Sequence, residues 1–127
     1  MTTKAEWLKL ARLCEAQTGS DRALDHQILL ALGWTADGWR WNLPSGDFLH
    51  PTVFPSASLD AITALIEREL PDMEGIIPLK GKQEAWLWPS RGIAKGWRCT
   101  AATPALALCA AFCRAMAEKD NEDDNQS

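Results

Sequence analysis

Apolar positions change period several times along this 127-residue chain. Trp7, Leu10, Ala11 and Cys14 recur at i, i+3, i+4 and i+7, and Thr3 followed by Glu6 makes a capping box, so a helix is predicted over residues 4–16 or so. "TGSD" interrupts it, because Gly19 is a natural helix stop and Ser20 can accept the free amide protons of a following helix. Leu24, Ile28, Ala31 and Leu32 give that second helix one apolar face, ending at Gly33, and the two helices read as an antiparallel hairpin. In "GWRWNL" the period falls to two: Trp39, Trp41 and Leu43 alternate with Arg40 and Asn42, the pattern of a half-buried strand. "PSGDFLHPTVFPS" carries three prolines and a glycine and reads as a loop with a short extended piece around Val53.

A third helix starts near Ser56 or Ser58, with Leu59, Ile62, Leu65, Ile66 and Leu70 at helical spacing, and Pro71 ends it. Short apolar runs in "MEGIIPL", "EAWLW" and "GWRCT", separated by "KGK" and "PSRG", predict an antiparallel meander of three strands. The chain then enters "CTAATPALALCAAFCRAM". Thr103 is a good N-cap, Pro104 takes the first helical position, and Ala105 to Ala117 are mostly strong helix formers. Apolar residues on nearly every side of this last helix predict that it is buried on more than one side. The expected fold class is α+β: an α/β sandwich with a mostly antiparallel sheet of about four strands and four helices, in the order ααβαβββα.

Charge sharpens the domain picture. The net charge is −4, and the final ten residues, "EKDNEDDNQS", hold five acids and one Lys, so residues 1–117 balance twelve bases against twelve acids. One domain over 1–117 is expected, with residues 118–127 as an acidic unstructured tail. A neutral body lacks the positive excess that drives phosphate-backbone binding, so general nucleic-acid binding is not expected. The α-β-β-β-α outline of the last five elements matches a double-stranded RNA-binding domain, but that module grips phosphates with bases at the start of its final helix. Here that segment is "TAATPALAL", without a base. No apolar leader follows "MTTK" and no run reaches the ~18 apolar residues of a membrane span, so a protein of the cytoplasm with reduced cysteines and no membrane association is expected.

"ARLCEAQTGSDRALDHQILLALGW", "SLDAITALIE" and a "GWR" strand leading into "CTAATPALALCAAFCRAM" together resemble the phage ABA (α/β/α) sandwich domain, a family of small phage and prophage proteins. "TGSDRALD", "SLDA" and "TAATPALALC" carry the resemblance, which spans residues 8–117. It implies a fold and a setting in the host bacterial cytoplasm. It implies no activity and brings no catalytic residues. The chain departs from the family pattern in "PDMEGIIPLKGKQEAWLWPSRGIAKG", where a member-specific function is expected to lie.

Cys109 and Cys113 share a helix face and Cys99 precedes them, but His26 and His50 are distant in sequence and no paired knuckle is present. The cysteines are read as small core residues, and neither metal nor cofactor is expected. His26 lies beside Asp25, yet sequence neighbours on a helix do not face each other. There is no G-x-S-x-G, H-E-x-x-H or Walker loop, so the residues do not read as an enzyme. The informative excess is seven Trp with three Phe and no Tyr. Alternation puts Trp39 with Trp41, Trp86 with Trp88 and Trp97 with Cys99, predicting an indole-rich face opposite Arg40 and Arg98. These indoles either pack as core or serve a pocket or subunit contact. The sharpest functional reading is a non-enzymatic accessory protein that sequesters a host nucleotide signal, with Trp88 and Trp97 stacking the base and Arg40, Arg91 and Arg98 holding phosphate. The alternative is a homo-oligomeric or host-protein interaction module.

Overall fold

The computed structural model describes residues 3–17, 22–37, 40–43, 48–49, 59–70, 73–76, 84–89 and 96–126. The chain runs α1 (Lys4–Ala16), α2 (Arg22–Ala31), β1 (Thr35–Asp37), β2 (Arg40–Asn42), β3 (Phe48–Leu49), α3 (Leu59–Glu69), β4 (Met73–Ile76), β5 (Glu84–Pro89), β6 (Trp97–Thr100) and α4 (Pro104–Gln126). Its class is α+β.

Local chemistry sets the helix ends. At α1 the Glu6 amide donates to Thr3 Oγ1 at 3.2 Å and the Thr3 amide donates to Glu6 Oε2 at 3.4 Å, a complete capping box. Gly33 closes α2 with φ 86°, a conformation that favours glycine. There the Gly33 amide donates to the Leu30 carbonyl at 3.0 Å and the Trp34 amide to the Leu29 carbonyl at 3.1 Å, the paired bonds of a Schellman motif. That turn delivers Trp34 into the core. At α4 the Leu106 amide donates to Thr103 Oγ1 at 3.2 Å.

α4 is the centre of the packing. Every residue from Ala105 to Cys113 is buried, and α1, α3, β5 and β6 all lie against it. Alanines on a helix hemmed in from several sides let neighbouring backbones approach closely, while Phe112 fills the space they leave. The Trp7 ring meets Phe112 edge-on, with centroids 6.0 Å apart.

The strands depart from the expectation of one sheet of about four. The described residues form two three-stranded antiparallel sheets, β1-β2-β3 and β4-β5-β6. The second is the predicted meander. The first adds β1, three residues pairing Thr35 with Asn42 and Asp37 with Arg40, and β3, whose Phe48 and Leu49 pair with Asn42 and Trp41. Strands of three and two residues are too short to show a period. The extended piece expected around Val53 lies outside the described residues. α4 also continues to Gln126, through the acidic run whose composition predicts no structure.

Candidate functional site

The second sheet has two unlike faces, and β5 shows why. In "EAWLWP" the even and odd positions alternate, so Ala85 and Leu87 turn to the core beneath α4 while Glu84, Trp86 and Trp88 turn outward. The register sets Trp86 opposite Arg98, Glu84 opposite Thr100, Ala85 opposite Cys99 and Leu87 opposite Trp97. Trp86, Trp88, Arg98, Glu84 and Thr100 therefore share the outer face.

Trp86 is 49% exposed, unusual for so large an apolar side chain beside a core. Its ring stands 5.6 Å from that of Trp88 at 68°, an edge-on pair. Gly96 makes room for it: a β-carbon there would come 2.7 Å from Trp86 Nε1 and 2.6 Å from the Leu87 carbonyl oxygen. The indole thus lies across Gly96, the residue just before β6. Arg98 Nη2 donates to Glu84 Oε1 at 2.9 Å, with the two side chains 62% and 19% exposed. Among the described residues Arg98 is the cation of this face, and it is paired with a carboxylate.

Of the five residues expected to bind a ligand, the structure brings together two, Trp88 and Arg98. Trp97 sits on the opposite face with Cys99, half-buried against the core. Arg40 belongs to β2, in the other sheet, and Arg91 lies outside the described residues. The expected split between an indole face and an arginine face is also reversed, since Arg98 shares its side with Trp86 and Trp88. Alternation within a strand fixes which residues share a side, but only the register between strands fixes which sides coincide. The same reasoning missed Trp86 and Glu84 as site residues. Core packing does describe Trp7, Trp34 and Trp41, all buried, Trp41 with its ring 4.8 Å from that of His26.

A second constellation lies in the core. All four cysteines are buried free thiols. The thiols of Cys109 and Cys113 on α4 lie within hydrogen-bonding reach of the Cys14 sulfur on α1, and this holds the Cys14 pKa down, to about 5. Burial, followed by the adjoining Cys14, pushes Cys109 up; for Cys113 the hydrogen bond to Cys14 comes first and burial second. Burial also raises Cys99. Above the cluster, Arg114 Nη2 donates to Glu15 Oε1 in an ion pair. Among the described residues no three His, Cys, Asp or Glu side chains are arranged to hold a metal ion, and no helix is long and apolar enough to cross a membrane.

In comparisons with known proteins, no family model, no curated protein and no solved structure matches this chain.

Proposed function

We propose that the protein acts by binding and not by catalysis, that the outer face of β4-β5-β6 is its contact surface, and that the occupant is a second copy of the chain. The observation that carries this reading is the half-exposed Trp86, lying over Gly96 and flanked by Trp88 and Arg98. Trp and Arg are the residues most enriched where interface energy concentrates. The face also carries both signs of charge, Glu84 and Arg98, which a two-fold contact between identical chains can pair across its seam. An α/β/α sandwich, the architecture implied by the family resemblance, covers its sheet on both sides. Here α4 covers one side and a partner would supply the layer on the other. The resemblance further supports an accessory role encoded by a phage or prophage, in the host bacterial cytoplasm.

Sequestration of a nucleotide is the weaker reading, because among the described residues Arg98 is the one cation beside Trp86 and Trp88, and a phosphate there would compete with Glu84 for it. The test is charge exchange. Glu84→Arg and Arg98→Glu, each alone, place like charges across the two-fold and are expected to be monomeric in light scattering. Their equimolar mixture restores opposite charges and is expected to regain the dimer. A wild-type chain that stays monomeric and instead binds nucleotides in calorimetry, with quenching of indole fluorescence, would overturn this reading in favour of the nucleotide ligand.

A further inference from the structure

Cys14 comes from α1, Cys99 from β6, and Cys109 and Cys113 from consecutive turns of α4, yet all four are buried in one core cluster. Filling space does not by itself call for sulfur here. Ala11, Ala107, Ala110, Ala111 and Ala115 are equally buried on the same two helices, and they show what the fold uses when only a small apolar group is needed. What cysteine adds is a polarisable sulfur that can be oxidised. The Cys14 sulfur is also the one that both α4 thiols reach. Glu15 and Arg114, the sequence neighbours of Cys14 and Cys113, form an ion pair whose side chains are each about one third exposed.

We infer that Cys14, with Cys109 or Cys113, forms a thiol switch that hydroperoxides oxidise to a disulfide joining α1 to α4. In the first step the Cys14 thiolate attacks one oxygen of the hydroperoxide, ROOH. A sulfur–oxygen bond forms, the oxygen–oxygen bond breaks, and the alkoxide leaves and takes up a proton as ROH. Cys14 becomes a sulfenic acid, oxidised by two electrons. In the second step the sulfur of Cys109 or Cys113 attacks the Cys14 sulfur, the sulfur–oxygen bond breaks, and hydroxide leaves with the attacking thiol's proton as water. The sum is two thiols and one ROOH giving one disulfide, ROH and water. Cys14 is the thiol whose ionisation its neighbours favour, which suits it to the first attack. α1 lies along α4, the packing that sets Cys14 beside Cys109 and Cys113.

The test uses the full chain, reduced and then exposed to hydrogen peroxide. After denaturation and alkylation, two thiols per chain are expected to be protected, and a non-reducing peptide map is expected to show the Cys14 peptide linked to the one holding Cys109 and Cys113. Dithiothreitol should reverse it, Cys14→Ser should abolish it, and Cys99→Ser should leave it intact. The wild-type map decides by itself even where a variant folds poorly. Four alkylatable thiols per chain after peroxide, a link made only through Cys99, or links only between chains would overturn the inference.

Discussion

A β-carbon at Gly96 would stand 2.6 Å from the Leu87 carbonyl oxygen and 2.8 Å from Trp88 Cβ, distances that real side chains do not tolerate. One of those contacts is backbone, so β5 and β6 would have to move apart. Gly96→Ala is therefore expected to lower stability by about 1–3 kcal/mol in chemical denaturation, the range of an overpacked core, and to shift the Trp86 emission. A variant as stable as the native chain would show that the indole does not rest on Gly96. The buried thiols make a second claim at this scale. Cys99, Cys109 and Cys113 have folded pKa values raised above the ordinary 9.0, so above that pH the unfolded chain has lost protons that the folded chain keeps. Stability contributed by these groups is present below pH 9 and declines as pH rises beyond it. Cys14 has the opposite sign, but its gain accumulates between about 5 and 9.0 and is complete there. Urea denaturation at successive pH values should show the decline above 9, with a shallower slope for Cys99→Ala.

At the scale of elements, the helix boundaries were legible because each is a discrete chemical event. Thr3 with Glu6, Gly33, and Thr103 before Pro104 all act as their side chains predict. Thr103→Ala removes the acceptor for the Leu106 amide and is expected to cost about 1 kcal/mol, measured by thermal or urea unfolding. No change would mean that Ala107, whose amide donates to the Thr103 carbonyl, carries the start of α4 without the side chain. The strands were legible only in part. β5 shows its alternation over six residues, whereas β1 and β3, at three and two, exist through pairing to β2 and have no pattern of their own. Register was not legible at all, and that one unknown moved Arg98 to the side of Trp86 and Trp97 away from it. Cys14 was hidden for a related reason. Its meeting with Cys109 and Cys113 depends on how α1 lies along α4, across most of the chain's length.

At the scale of the whole molecule, burying α4 on several sides commits most of the apolar sequence to one core, and the outer face of the second sheet is where Trp86 stays half-exposed. Three strands spaced about 4.8 Å apart and rising about 3.3 Å per residue span a few hundred Å². A standard interface takes roughly 800 Å² from each partner, so this face alone supports weak, concentration-dependent association. Dilute samples are then monomeric, and the dimer emerges with concentration. The most direct measurement is sedimentation velocity of the native chain and Trp86→Ala over a concentration series. The native chain is expected to shift from the 14.0 kDa monomer toward twice that mass while Trp86→Ala remains a folded monomer. A native chain monomeric at every concentration, or a dimer indifferent to the loss of Trp86, would contradict it.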